Sequence, residues 1–547
     1  MYTFYGLVRA FLKRYGALLI LGIAFALFAM TGAEPLVEGD GAEYAVFAEE
    51  GRILEIPSHA AYLAAGWLST MLLADDAQAM ALLSWVAGSL GIAAVYLIVH
   101  FYTDSLVASW LAGLAVMTAG QYWNYATTIE VYGVQAGVSL MAFAVWLYAE
   151  PRAGIADADF WRSRRAWAGM IGAGLLLVFA GLVTPASIAF APMFLLGRDL
   201  HIPRRWLVIG GTAAFILGAI GVAFLGEPLM RNRALFDIEL VRLLRNVAYM
   251  GFSMGPVMLA TLVLAALSRL TVPGDAIATR RLHRVVVAVV LTILCHVPFA
   301  TFIVKGALIP TYGLVALVFG LLLARFTPQV TLSGRVLRWM LVVLATGGAL
   351  GAIGLVAGCR LQPDGCGWLA QQWSEHQNDV QSILGLGGLL LAVAGGVEIA
   401  RRNRPGLDHH FLLRGGMVVL ANMVIGLHLV LLPLQDDANR QRLAVDMLCE
   451  LDPPHDQIVG SYDVLVIYDY YHLGERLWPE AHLHPPTLTV EQFEASLDSY
   501  DGLYVIGIWV WDIVAMYDIQ RDDYALTPLG ENVPLWYVQR PTANVLE

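Results

Sequence analysis

The sequence has 547 residues, of which 58% are hydrophobic and 14% charged, and its mean hydropathy is +0.64. Soluble globular proteins are about 45–50% apolar and about 25% charged, so this composition excludes an ordinary soluble protein. The formal net charge of −11, without a long basic run, argues against nucleic acid as a partner.

The first apolar run follows Arg9, Lys13 and Arg14 and covers about residues 16–33. It has the full length of a span and ends without a convincing small-x-small cleavage site. We therefore predict a first transmembrane helix with a cytoplasmic N-terminus, rather than a cleaved signal peptide.

Further apolar runs of roughly 17–24 residues follow, each near the length that crosses about 30 Å of hydrocarbon. They predict a polytopic α-helical membrane protein with about thirteen transmembrane helices. The segment from 186 to 197 is short enough to cross only half of the bilayer. The predicted spans begin near residues 16, 79, 104, 131, 167, 186, 206, 246, 285, 308, 338, 380 and 416.

Basic residues in short loops set the orientation of such a protein, because cytoplasmic loops are rich in Lys and Arg. This assignment requires the apolar segment 58–74 to lie on the external face as an interfacial or re-entrant helix. Counting it as a span would move the arginine-rich loop 151–165 outside, and we reject that alternative. The predicted cytoplasmic loops contain Arg152, Arg162, Arg164, Arg165, Arg198, Arg204, Arg205, Arg269, Arg280, Arg281, Arg284, Arg335, Arg401, Arg402, Arg404 and Arg414.

Cys359 and Cys366 enclose a short loop that this topology places outside the cytoplasm. A disulfide between them suits an oxidising compartment, and two unpaired thiols are the alternative. Cys295 and Cys449 are expected to be unpaired.

Carboxylates collect in the first external loop. Asp40 lies between two glycines, which let a backbone approach a ligand closely, and Glu43 follows at the start of a helix. The alternative is structural: Asp40 caps a helix that begins near Gly41, and Glu43 completes a capping box.

The second external loop, residues 121–131, contains Glu130 where a helix enters the bilayer. An ionisable group there is costly unless it pairs or lines a wet cavity, so Glu130 is a candidate functional residue. Tyr122, Trp123 and Tyr125 fit an interfacial aromatic belt.

A few basic residues are external, against the topology rule: among them Arg231, Arg233 and Lys305. They are candidates to bind anionic lipid head groups or a phosphate. The alternative is that they reach the interface as snorkelling side chains.

The tail, residues 435–547, is rich in Asp, Tyr and Pro and predicts a small extracytoplasmic α/β domain. Residues 458–460 and 502–507 read as short buried strands, and 490–499 as a helix. Asp463 follows the first strand, where α/β sheets often hold ligands, although capping a helix is the alternative. The transmembrane domain would then be 1–434, with external loops 34–78 and 121–131.

The sequence lacks the motifs of several common enzyme classes. It has no phosphate-binding P-loop, no HExxH, no paired CxxC and no G-x-S-x-G nucleophile elbow. The sequence therefore argues against an ATP-driven enzyme and against a standard hydrolase.

Three segments resemble the membrane glycosyltransferases of the GT-C fold, and within them the protein O-mannosyltransferase-like family that includes the domain of unknown function DUF2723. Its members read roughly Asp-Ser-Gly-Glu, His-Pro-Pro-Gly-Tyr-Pro and Ala-Glu-Val-Tyr-Ala-Leu-Asn. Here residues 40–43 read Asp-Gly-Ala-Glu, 56–62 read Ile-Pro-Ser-His-Ala-Ala-Tyr, and 129–135 read Ile-Glu-Val-Tyr-Gly-Val-Gln. Ile56 stands where the family has its histidine, so that histidine is absent unless His59, three residues later, takes its place. The motifs cover about the first 200 residues, and the remainder resembles the family by architecture.

The resemblance implies an inverting enzyme that moves a sugar from a polyprenyl-phosphate-linked donor to an acceptor hydroxyl at the external membrane face. Asp40 would be the general base, with Glu43 beside it. Glu130, Tyr132 and His59 would bind substrate, and Lys305, Arg231 or Arg233 would stabilise the leaving phosphate.

A divalent cation, if one is used, would be held by Asp40, Glu43 and Glu130. No other cofactor is implied. The acceptor is a lipid, a glycan or a protein, and membrane lipids surround the enzyme. Composition and the charge bias of the loops place the protein in the inner, or plasma, membrane with the tail on the periplasmic or extracellular side.

Two other classes remain as alternatives. A transporter or flippase of a lipid-linked glycan predicts internal repeats and charges near the bilayer midplane, and the sequence shows no clear repeat. A membrane scaffold whose tail binds a partner explains the tail but not the carboxylates in the loops.

Overall fold

The computed structural model describes seventeen stretches of the chain. They are residues 2–32, 39–73, 76–148, 164–196, 253–262, 264–265, 276–302, 308–325, 416, 418–423, 432–460, 464–465, 467–468, 471, 490–506, 524–530 and 533–540.

Helices dominate these stretches. In chain order they are α1 (Tyr2–Thr31), α2 (Gly39–Glu49), α3 (Ala60–Thr70), α4 (Asp76–Thr103), α5 (Leu106–Met117), α6 (Gly120–Thr127), α7 (Val131–Tyr148), α8 (Arg164–Val183), α9 (Ala191–Leu196), α10 (Ser253–Leu262), α11 (Ala276–Phe302), α12 (Ile309–Arg325), α13 (Leu432–Leu451) and α14 (Val490–Ser499). Short 3₁₀ turns precede α3 (Pro57–His59), α9 (Pro185–Phe190) and the first strand (His455–Gln457).

Within the described residues, three helices are long and apolar enough to cross a membrane: Ala10–Thr31 of α1, α4 and α7. The 28 residues of α4 extend over about 42 Å at 1.5 Å per residue, which exceeds the hydrocarbon thickness. The predicted total of about thirteen spans stays a prediction. The predicted spans near 206, 338 and 380 lie outside the described residues.

The helix α4 forms the centre of the bundle and packs against α1, α5, α7 and α12. Its closest crossing is with α7, where a Cβ added to Gly137 would lie 1.8 Å from the carbonyl oxygen of Ala87. Small residues at a crossing let two helix backbones approach in a bilayer, where lipid offers no hydrophobic driving force for association.

The segment read as the second external loop contains a helix instead. Residues Tyr122, Trp123 and Tyr125 of α6 are buried, so they do not form the interfacial belt. The Tyr122 hydroxyl donates to the Gly88 carbonyl at 2.8 Å, and the Trp123 indole donates to the Thr31 hydroxyl at 2.8 Å. The aromatic rings fill the space between α6 and helices α1 and α4, and this interior position explains why the prediction was wrong.

Helices α2 and α3 form a small platform beside the bundle. Most of α2 is buried. Helix α3 packs closely against both α4 and α2: a Cβ added to Gly66 of α3 would lie 2.1 Å from the Met80 sulfur of α4 and 3.0 Å from the Ala48 Cβ of α2. The 11 residues of α3 extend over about 16 Å, far short of a bilayer crossing. This length agrees with the prediction that segment 58–74 does not cross.

The segment from Leu54 to Leu73 exposes several large apolar side chains. We call this set the apolar edge: Leu54, Leu68, Met71, Leu72 and Leu73. Near it, Arg52 pairs with Glu50 at 3.0 Å and with Glu55 at 2.9 Å. Exposed large apolar side chains close in sequence to charged ones are typical of a segment that lies at the membrane interface.

The segment from Pro185 to Leu196 is a 3₁₀ turn followed by the single short helix α9. Its 12 residues are too few to cross the hydrocarbon, in agreement with the short segment predicted to begin near residue 186. It packs against α8 and α11.

The tail contains a four-stranded sheet of β1 (Ile458–Gly460), β2 (Leu503–Ile506), β3 (Ala525–Pro528) and β4 (Leu535–Gln539). Its order is β1-β2-β4-β3; β1 and β2 are parallel, and β4 is antiparallel to both of its neighbours. The two predicted strands and the helix Val490–Ser499 are confirmed. The division into two domains stays a prediction, and its boundary at 434 falls inside α13.

One hydrophobic cluster joins the tail to the platform. It contains Tyr44 of α2, Tyr62 of α3, Val183 of α8, Leu448 of α13 and Ile506 of β2. The tail therefore lies on the same end of the bundle as α2 and α3.

Candidate active site

The site begins at the amino end of α7, where Glu130 immediately precedes the first helical residue, Val131. The side chain of Glu130 is buried, with 7% of its surface exposed. A carboxylate at this position benefits from the positive end of the helix dipole. Glu130 is the ionisable group that the sequence singled out. The structure places its side chain in the interior, at the edge of the membrane bundle.

Helix α2 carries the acidic pair of the first loop. It begins at Gly39, so Asp40 lies in its first turn and does not precede it. The alternative, in which Asp40 caps this helix, stays a prediction because the Asp40 side chain lies outside the described part. Glu43 is half-buried one turn further on. Asp40 and Tyr44 are four residues apart, the spacing that puts two positions on one helix face.

His59, at the end of the 3₁₀ turn before α3, makes a long-range contact. Its Nδ1 lies 2.6 Å from the carbonyl oxygen of Val183, the last residue of α8. Burial lowers the pKa of His59, which favours the neutral ring. In a neutral ring whose Nδ1 donates to a carbonyl, Nε2 is an acceptor.

Two tyrosines connect α2, α3 and the Glu130 region. The ring of Tyr44 packs edge-on against His59, with centroids 5.8 Å apart, and against Tyr62, with centroids 5.4 Å apart. Burial, and after it the charge of Glu130, raises the pKa of Tyr62. Tyr62 also lies beside Ser84 of α4. The structure thereby brings His59 and Glu130 into one neighbourhood through Tyr44 and Tyr62.

Other predicted site residues are placed differently or lie outside the described part. Tyr132 is half-buried and packs against the core. Lys305, Arg231, Arg233 and the predicted disulfide of Cys359 and Cys366 are outside the described residues, as is Asp463. Cys295 and Cys449 are free thiols, as predicted.

No group of three or more His, Cys, Asp or Glu residues suited to a metal ion occurs in the described part of the chain. The side chain of Asp40 is not described, so the predicted cation ligands Asp40, Glu43 and Glu130 stay a prediction.

Sequence reasoning missed Tyr44, Tyr62 and Ser84 as members of this neighbourhood. Tyr62 had a signal, since it is the tyrosine of the segment 56–62 that resembles the family motif. Ser84 had none, because a single serine within an apolar helix is a common and unremarked feature of a span.

Two solved structures are similar to this chain: ArnT from Cupriavidus metallidurans in the apo state and the same protein bound to undecaprenyl phosphate. The TM-scores are 0.55 and 0.53, each at 14% sequence identity. The matches cover 96% and 97% of this chain and 98% and 99% of ArnT. No protein-family model and no curated protein matches the sequence.

The chain has the GT-C fold. The similarity runs over nearly the whole length of both chains, so it includes the region beyond residue 200, where the sequence carried no motif. The fold and the apolar helices together identify a membrane protein. At 14% identity this likeness establishes the fold and no more.

Proposed function

We propose that the protein is an inverting membrane glycosyltransferase of the protein O-mannosyltransferase-like family. It would move a sugar from a polyprenyl-phosphate-linked donor to an acceptor hydroxyl. The GT-C fold supports this proposal, as does the fact that the similar ArnT structure is bound to undecaprenyl phosphate. The observation that carries it is the buried carboxylate of Glu130, joined through Tyr62 and Tyr44 to the helix that holds Asp40.

In this mechanism Asp40 accepts the proton of the acceptor hydroxyl while the hydroxyl oxygen attacks the anomeric carbon of the donor. The bond from that carbon to the phosphate oxygen breaks on the opposite face, so the configuration inverts. Glu43 acts beside Asp40. Glu130, Tyr132 and His59 bind the sugar or the acceptor.

The leaving polyprenyl phosphate gains negative charge as the bond breaks, and nearby cations stabilise that charge. We assign this role to Lys305, with Arg231 and Arg233 as further phosphate ligands. A divalent cation, if the enzyme uses one, would bind the carboxylates of Asp40, Glu43 and Glu130.

The location of the site at the membrane surface suits a lipid-linked donor. The platform α2–α3 lies against the bundle and bears the apolar edge. A polyprenyl chain stays in the hydrocarbon while its phosphate and sugar remain at the interface, so the reacting carbon would lie at the level of the platform. We propose that this face is external and that the N-terminus is cytoplasmic.

The test is sugar transfer in membranes that contain wild-type or Asp40→Asn protein, with a panel of polyprenyl-phosphate sugars. We expect one sugar to be transferred by the wild type, and the variant to lose about 100-fold or more in kcat, because loss of a general base costs about 10²–10⁴. Glu50→Gln is the matched control. Glu50 is an exposed carboxylate one residue after α2, paired with Arg52, and its loss should leave transfer unchanged.

Retention of full activity by Asp40→Asn would remove Asp40 as the base. Absence of transfer by the wild type, together with movement of a lipid-linked glycan across the bilayer, would favour the transporter instead.

A further inference from the structure

We propose that Tyr62, Ser84 and Glu130 form a subsite for one hydroxyl group of the transferred sugar. This inference rests on the proposed function and deepens it, since it names the part of the donor that these residues recognise. Tyr62 belongs to the platform helix α3, Ser84 to the central helix α4, and Glu130 precedes α7. The three side chains therefore join the platform to the bundle.

All three side chains are withdrawn from solvent. Tyr62 and Ser84 have 0% of their surface exposed, and Glu130 has 7%. Tyr62 is close enough to Glu130 and Ser84 for both to influence its ionisation. Within the described residues, the Tyr62 hydroxyl lies near the Ser84 hydroxyl and the Glu130 backbone, but neither hydroxyl has a partner at the distance and angles of a full hydrogen bond.

Buried hydroxyl groups without a partner are rare, because each gives up its hydrogen bonds to water and receives nothing in return. Their surroundings are apolar: Leu63, Ala81 and Val131 belong to the same hydrophobic cluster as Tyr62. Phenylalanine and alanine would fill the space equally well without that cost. Two adjacent hydroxyls next to a carboxylate thus indicate a polar ligand that completes the group.

The chemistry of the three groups favours a hydroxyl ligand. A carboxylate only accepts hydrogen bonds, whereas the tyrosine and serine hydroxyls each donate one and accept others. A sugar hydroxyl donates to the carboxylate and accepts from a neighbouring hydroxyl at the same time. A phosphate, in contrast, would bring its negative charge next to Glu130.

The position also favours the sugar over a permanently bound water molecule. The Tyr62 ring contacts Tyr44, which lies one helical turn after Asp40 on α2. A sugar whose anomeric carbon is near Asp40 therefore has a second hydroxyl within reach of the subsite, since a pyranose ring is about as wide as one helical turn is long, roughly 5 Å.

The experiment compares the parent donor with a set of monodeoxy donors, each lacking one sugar hydroxyl, in wild type, Tyr62→Phe and Ser84→Ala. If a hydroxyl binds here, Tyr62→Phe lowers kcat/KM for the parent donor by about 10- to 100-fold. The loss should shrink to less than about threefold for the one deoxy donor that lacks the recognised hydroxyl, because the interaction is then missing in both enzymes.

Two matched variants control for general effects of removing a buried hydroxyl. Ser89→Ala removes a buried serine of the same helix that donates to the Trp85 carbonyl at 2.7 Å. Tyr96→Phe removes a tyrosine hydroxyl from the bundle, 3.4 Å from the Leu12 carbonyl. Both should reduce transfer equally for all donors, if they reduce it at all. Circular dichroism and thermal melting establish that each variant is folded.

An equal loss for every donor, or no loss in Tyr62→Phe and Ser84→Ala, would overturn the subsite while leaving the enzyme proposal intact. If Tyr62→Phe fails to fold, Ser84→Ala decides by the same comparison of donors. A wild-type protein that transfers none of the sugars would overturn the proposed function itself, and the subsite with it.

Discussion

At the scale of single residues, His59 links two elements that are 124 positions apart in the chain, through its contact with the Val183 carbonyl. Burial lowers the pKa of His59 below its ordinary 6.5. In the unfolded chain the ring takes up a proton as the pH falls through about 6.5, whereas in the folded protein it stays neutral to lower pH. The His59 contribution to stability is therefore complete above pH 6.5 and is lost as the pH falls below it.

We expect the melting temperature of the purified protein to fall between about pH 7.5 and about pH 5.5, and to fall less in His59→Asn. Asparagine keeps an amide donor near the position of Nδ1 but does not titrate in this range. Thermal melting of both proteins over this pH range measures the difference. Parallel pH profiles of wild type and variant would show that His59 does not contribute.

The sequence indicates candidate site residues only where a charge or a motif stands out from its surroundings. Glu130 was recognisable because a carboxylate at a helix entry is expensive in a membrane. His59 was suggested by a motif. Tyr62 lies in the same motif, but the role of Tyr62 and Ser84 depends on which helices become neighbours, and spacing along the chain does not contain that information.

At the scale of secondary-structure elements, the crossing of α4 and α7 depends on the absence of a side chain at Gly137. We expect Gly137→Ala to destabilise the protein by about 1–3 kcal/mol, because the added methyl group would meet the Ala87 backbone, which cannot rotate away as a side chain can. The control is Gly174→Ala on α8, where an added Cβ has no atom within 4 Å. It should be neutral or stabilise the helix by up to about 1 kcal/mol.

Thermal or denaturant unfolding of the two alanine variants, measured in the same detergent, tests this expectation. Equal stability of the two would mean that α4 and α7 do not cross at Gly137.

The positions of many elements could be predicted from apolar periodicity and length. The beginnings of α4, α5, α7, α8 and α12 lie within three residues of the predicted spans. The α6 segment was read as a loop because its aromatic and polar residues match an interface as well as a core. Only the neighbouring helices, which bury its rings, decide between these two environments.

At the scale of the whole molecule, the tail and the platform share a hydrophobic cluster. The tail and the candidate site therefore lie on the same side of the membrane. The positive-inside rule predicts that this side is external. We expect alkaline phosphatase fused after residue 547 to be active and green fluorescent protein at the same position to be dark.

A fusion within the arginine-rich loop 151–165 is the matched control and should give the opposite pair of signals. If the two junctions exchange their signals, so that the loop is external and the tail cytoplasmic, the assignment of segment 58–74 as a non-crossing helix is wrong, because one additional span ahead of the loop inverts everything after it.

The fold of the whole chain was predicted from three short motifs within the first 200 residues, and the likeness to ArnT over 96% of the chain confirms the GT-C fold. The total number of spans and the domain boundary at 434 stay predictions. The pairing of the tail strands could not be predicted, because it depends on contacts between distant segments, such as β1 with β2.

The apolar edge of the platform has a consequence for how the protein responds to its lipid. At the proposed interfacial position, withdrawing the edge residues Leu54, Leu68 and Met71 from acyl chains into water would cost about 25 cal/mol per Å² of apolar surface, so we expect α3 to keep a fixed depth in the leaflet. The long spans instead adapt to bilayer thickness by tilting. A thicker or thinner membrane would therefore shift the bundle relative to the platform, and the contact of Tyr62 on α3 with Ser84 on α4 would sense acyl-chain length.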